Sequence, residues 1–362
     1  MQNRFVLAAV AAIMAQPIAA QADTLNVFNW SDYIAPDTLD KFTEATGISV
    51  NYDVYDSNET LEARLLAGSS GFDVVVPTSD YMQRQIAAGA YMPLDKSRLP
   101  NLEHMDPELM ARAAEYDPGN EHGVIYMWGT TGLGYNVNAV AERLGEDYEV
   151  NSWELIFDPE IAEQLADCGI TFLDAPTEMI PAAMNYLGLD PTSTDEADFE
   201  AAGELLMEVR PHVRYFHSSQ YISDLANGEI CVAVGWSGDV YQARDRAEEA
   251  GRGIEIDYVI PDEGALVWFD MLAIPADAPN PDAAHEFINF IMDPQITADI
   301  TNYVWYANAN ASSMEFVDDE VKNDPAVFPS DEVIANLWTS EPYTPAIDRI
   351  VTRIHTRVRT GQ

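Results

Sequence analysis

The chain has 362 residues, 61 of them acidic and 18 basic, for a formal net charge of −43. A surface of that sign repels nucleic acid and anionic membranes and draws in cations, so polyanion binding is excluded as a function. Acidic surfaces also accompany saline habitats, and the charge alone does not name a ligand.

The first segment is a processing signal. "MQNR" is a basic start, "FVLAAVAAIMA" an apolar core, and Ala20–Ala22 a small-residue cleavage site. Residues 1–22 are therefore expected to be removed on export. The residue directly after that site is Asp23 and not a cysteine that would carry a lipid anchor. No later apolar run approaches the roughly 20 residues of a membrane span, so no insertion into the membrane is expected.

Beyond the signal, strand and helix alternate. "TLNVFNW" reads as a strand, and "APDTLDKFTEATG" as a helix with Pro36 near its first turn and Gly47 past its end. "ISVNYDVY" alternates like a strand, and "SNETLEARLLAG" opens with a capping-box pattern, Ser57/Asn58 ahead of Glu59/Glu62. "FDVVVP" is a β-branched buried strand, followed by the helix "DYMQRQIAAG". This rhythm predicts an α/β fold with a mostly parallel sheet under helices.

The glycines of "VIYMWGTTGLGYN", residues 124–136, lie between extended runs, without the Gly-Lys-Ser/Thr of a phosphate loop. A crossover between two lobes fits them better. A second lobe then runs to about residue 259, and "IDYVIPDEGALVWFDMLAIP" returns to the first. "DAAHEFINFIMDPQITADITN" is helical with a break at Pro294, and the tail ends in a helix carrying Arg349, Arg353, Arg357 and Arg359. The expected division is 23–130 with about 260–310 in lobe one, and 131–259 with about 311–362 in lobe two.

Cys168 and Cys231 are the two cysteines. An oxidising compartment makes a disulfide the default, with a reactive thiol pair as the alternative; across 63 positions a bridge contributes roughly 4 kcal/mol by restricting the unfolded chain. Zinc would need more ligands nearby than the scattered histidines supply, so no metal or cofactor is expected.

Hydrolase motifs are missing: "GSSG" and "GWSGD" do not match the Gly-x-Ser-x-Gly elbow, and there is no His-Glu-x-x-His. A secreted hydrolase working through paired carboxylates stays open as an alternative, because acids are abundant. What recurs is an aromatic beside an acid: Trp30, Asp32 and Tyr33; Trp236 and Asp239; Trp268 and Asp270. Glu178 follows "FLDAPT" and Tyr306 sits in "VWYANAN". Ligands of open α/β sheets bind beyond the carboxyl ends of the strands, where such distant residues converge. Aromatic walls with spaced carboxylates suit a slender cation with an apolar middle. For each residue taken singly, a core tryptophan or a helix-capping aspartate is the plainer reading.

The segments "NWSDYIAPDT", "YDVYDSNE", "GFDVVVP", "LDAP", "RYFHSSQYISDLANG", "CVAVGWSGDV" and "YANAN" together resemble the periplasmic polyamine-binding proteins of ABC importers, the putrescine type above all. The resemblance spans nearly all of residues 23–362. It implies a two-lobed periplasmic-binding-protein fold of type II, with mixed sheets flanked by helices and a hinged cleft. It implies a non-enzymatic, monomeric receptor that hands putrescine or spermidine to inner-membrane permease subunits, or else reports it to a chemoreceptor. By matching position, Trp30, Tyr33, Trp236, Trp268 and Tyr306 would line the cleft. Asp32, Glu178, Asp239 and Asp270 would hold the amines, and Ser31 and Thr78 would add polar contacts. Cys168 and Cys231 match the disulfide positions of the putrescine branch. Trp268 is closer to the spermidine type, where the putrescine type tends to phenylalanine. Asp80 stands where relatives are neutral: it would hold another amine, or cap the helix it begins.

Overall fold

The computed structural model describes residues 24–362, and the processing signal lies outside them. Nine strands are present among the described residues: β1 (Thr24–Trp30), β2 (Ser49–Tyr55), β3 (Val74–Val75), β4 (Gly123–Asn136), β5 (Ile170–Phe172), β6 (Val213–Phe216), β7 (Val232–Trp236), β8 (Ile256–Val259) and β9 (Leu266–Ala273). Their order is β2-β1-β3-β9-β4-β7-β5-β6, with β8 also on β4.

The sheet is mixed, and its two kinds of ladder occupy different places. β1 pairs in parallel with β2 and β3, and β5 in parallel with β6 and β7. These flanks come from the strand–helix–strand units legible in the sequence. Between them the ladders are antiparallel: β9 with β3, then β4 with β9, β7 and β8. The mostly parallel sheet anticipated from the opening rhythm thus holds only at the flanks. The two returning segments, 123–136 and 256–273, supply the middle in the opposite sense.

β4 joins the flanks. Its residues 123–131 pair with β9, while residues 131–136 pair with β7 and β8. One strand of 14 residues therefore belongs to both halves, and the two mixed sheets form a single hydrogen-bonded path. Its glycines serve close approach rather than phosphate binding: a Cβ on Gly132 would lie 2.5 Å from the Val259 carbonyl oxygen.

Local signals explain the helix limits. Ser57 accepts from the Thr60 amide at the start of the helix Asn58–Leu66, and Gly47 (φ 77°) closes the helix Thr38–Thr46. The long helical stretch divides at Pro294 into Pro281–Ile291 and Pro294–Val304, with the Asp293 carboxylate capping the second. The helix Pro345–Thr360 packs on Glu196–Val209, where Arg353 pairs with Glu196 and Glu200, and Arg357 with Glu204. With Arg359 on Asp174, three of the four arginines singled out in the tail are thereby paired within the molecule.

The Cys168–Cys231 disulfide is formed, with 5.5 Å between the Cα atoms. It ties the turn before β5 to the residue before β7. No helix among the described residues is long and apolar enough to cross a membrane.

Candidate functional site

The parallel strands deliver side chains to one end of the sheet. Trp30 ends β1, Thr78 and Asp80 follow β3, Glu178 lies in the first turn of the helix Pro176–Tyr186 after β5, and Trp236 ends β7. Asp239 is in the first turn of the helix Ser237–Ala250, and Tyr306 follows the helix Pro294–Val304. Trp268 and Asp270 come from within β9, two residues apart and so on one face. They border one cleft. Eleven of the twelve residues singled out in the sequence line it: Trp30, Ser31, Tyr33, Thr78, Asp80, Glu178, Trp236, Asp239, Trp268, Asp270 and Tyr306.

Asp32 is the exception, and the backbone gives the reason. Its φ of 54° is left-handed, a conformation aspartate tolerates in tight turns. The turn leaves Trp30 and Tyr33 on the cleft and sends the intervening carboxylate outwards. There it meets the Arg246 guanidinium at 2.6 Å, with both side chains more than a third exposed.

The acids that do face the cleft are held by neutral donors. Asp270, 4% exposed, accepts from the Tyr33 hydroxyl at 2.9 Å and the Thr78 hydroxyl at 2.8 Å. Asp239, 5% exposed, accepts from the Tyr221 and Tyr306 hydroxyls, each at 2.7 Å. Glu178 accepts from the Thr131 hydroxyl and, at 3.0 Å, from the Trp236 indole. The rings of Tyr33 and Tyr306 meet edge to face at 5.0 Å, so the supports of Asp270 and Asp239 touch one another. Trp30 meets Trp236 at 5.6 Å and Trp268 meets Tyr306 at 5.4 Å, which closes the aromatic wall.

No lysine, arginine or histidine lines this cleft among the described residues. Burial therefore dominates at the carboxyls, with Arg246 and Arg84 opposing it only from outside the cleft at Asp239 and Asp80. It pushes Asp270, Asp239 and Glu178 each up to about 7, against the lowering effect of their hydroxyl and indole donors. Asp80, also buried, is raised by the same desolvation. Such a site is short of positive charge.

Some contributors escaped the sequence reading. Asn58 donates to the Thr78 hydroxyl at 2.8 Å and accepts from the Thr78 amide, which sets the hydroxyl that Asp270 uses. Tyr221 fixes Asp239 from the helix Gln220–Asn227. Both lie in segments that carried the family resemblance, and that was their one signal.

The family model for bacterial extracellular solute-binding proteins matches residues 37–329. The chain belongs to that family. This solute-binding protein is 50% identical to the putrescine-binding periplasmic protein PotF of Escherichia coli K12, over 99% of its own length and 97% of PotF. It is 52% identical to the putrescine-binding periplasmic protein SpuD of Pseudomonas aeruginosa, over 98% and 96% of the two chains. Among solved structures it superposes on PotD, a spermidine/putrescine ABC transporter substrate-binding protein of Streptococcus pneumoniae, with a TM-score of 0.76 at 26% identity, covering 94% and 99% of the chains. The solute-binding protein is thus a non-enzymatic receptor that works outside the cytoplasm, with an α/β fold shared by periplasmic binding proteins.

Proposed function

We propose that this protein captures a short linear polyamine, putrescine or spermidine, in the periplasm and delivers it as a single copy to the membrane subunits of an ABC importer. The observation that carries this reading is a cleft with several buried carboxyls, aromatic walls and no basic side chain. Alkylammonium groups, with a pKa of about 10.4, arrive charged at neutral pH. One ammonium at Asp239 and another at Asp270 would satisfy the carboxylate lone pairs that the tyrosines leave free. Trp30, Trp236, Trp268 and Tyr306 would cover the methylenes and offer ring faces to the charges, at about 0.5–2 kcal/mol for each cation contact.

On this reading the lobes are residues 23–130 with about 260–310, and 131–259 with about 311–362. A ligand touching both has more contacts in the closed form and so shifts the population towards it, and the permease recognises that form. Calorimetry with putrescine, spermidine, spermine and cadaverine tests the proposal. Heat of saturable binding from at least one amine is expected at micromolar protein, and no heat from any of them would end it.

A further inference from the structure

The cleft carries more acid than a diamine can neutralise. Asp239, Asp270 and Glu178 each have two side-chain donors from the protein. Asp80 is 9% exposed and lines the same space; Ser340, backbone amides of its own turn and the charge of Arg84 favour its anion against burial. It is not the helix cap: Thr78 holds that position, and Asp80 lies inside the first turn of the helix Ser79–Ala87. The nearest guanidinium on that helix is engaged elsewhere. Arg84 pairs with Glu62 at 2.8 Å and lies 4.0 Å above the Tyr81 ring.

The surroundings of Asp80 lead onwards. Ser340 belongs to a strap, residues 336–344, that crosses the end of the cleft. The Trp338 amide donates to the Ala265 carbonyl at 3.1 Å, and the Tyr116 hydroxyl holds the Ser340 carbonyl at 3.0 Å. Behind the strap lies a second, smaller space. Thr177, Leu266 and Ser340 line both spaces, and Trp338 and Tyr343 line the second.

We infer that Asp80 is a specificity-determining residue, which takes the third ammonium of a triamine and turns a putrescine-type cleft towards spermidine. The inference rests on the polyamine reading. With two ammonium groups at Asp239 and Asp270, a triamine has the buried Asp80 carboxylate on the wall of the same cleft for its remaining charge. A diamine leaves Asp80 as it is in the empty protein.

The test is calorimetry of the whole protein and of Asp80→Asn with putrescine and spermidine. The wild type is expected to bind spermidine at least tenfold more tightly than putrescine. Asp80→Asn is expected to lose at least tenfold in spermidine affinity and less than threefold in putrescine affinity. Thermal melting of the unliganded variant checks that it folds, and Asp80→Ser repeats the comparison with a smaller side chain. Equal losses for the two amines, or no loss for spermidine, would overturn the assignment. A wild type that binds putrescine alone would also overturn it while leaving the polyamine reading intact. Binding of neither amine would remove that reading itself.

Discussion

Asp270 is anchored by two hydroxyls and faces a cleft with no counter-charge. Its ordinary value is 3.8, and burial raises it to about 7 in the folded chain. Between those values the folded state holds a proton that the unfolded state has released. The stability this group contributes is therefore complete below about pH 3.8 and is lost as pH rises through 7. Asp270→Asn removes the penalty. It should raise the melting temperature of the unliganded protein at pH 8 and change it little at pH 4, as thermal scans at the two values would show. The same substitution leaves a bound ammonium unpaired and should cost about 2–5 kcal/mol of polyamine affinity by calorimetry. At this scale the sequence was informative about Trp30, Asp239 and Asp270, because aromatics beside acids after strands are costly unless a ligand uses them. It misplaced Asp32 because adjacency in sequence does not record a left-handed turn, and one residue with φ 54° separates the carboxylate from its neighbours.

The strands position the site as much as its side chains do. β4 passes directly beneath Trp268: a Cβ on Gly129 would lie 2.9 Å from Cη2 and Cζ2 of that indole and 3.0 Å from the Ser237 hydroxyl. Gly129→Ala should tilt the indole and weaken polyamine binding by about 1–3 kcal/mol, the usual cost of overpacking, with a smaller change in melting temperature; calorimetry and thermal scans on one variant compare the two. The helix limits were readable from Pro36, Gly47, Ser57 and Pro294, since capping chemistry is local. The partners of β4 were not readable. Which strand lies beside which is decided by contacts between segments more than a hundred residues apart, as with Gly129 opposite Trp268.

Across the whole molecule, the Asp32–Arg246 pair links the turn after β1 to the helix Ser237–Ala250, outside the ring of cleft residues. Both partners are substantially exposed, so the pair is worth about 0–1 kcal/mol and weakens with salt. Arg246→Ala should speed ligand dissociation a few-fold, measured by stopped-flow, and the difference from wild type should shrink at 1 M salt. The family fold was legible because its segments are spread along the whole chain, and the net charge was legible as a number. The distribution of that charge was not. In the last helix Arg353 and Arg357 are paired with Glu196, Glu200 and Glu204, and Arg359 with Asp174.

That no basic side chain among the described residues lines the cleft has a thermochemical consequence. Burial raises Asp239, Asp270 and Glu178 to about 7 in the empty receptor, so each retains part of its proton at neutral pH. An arriving dication favours their anions and must expel hydrogen ions into the medium. The enthalpy recorded on mixing should then differ between phosphate and Tris at one pH, in proportion to each buffer's heat of ionisation, and the difference should fade above pH 9.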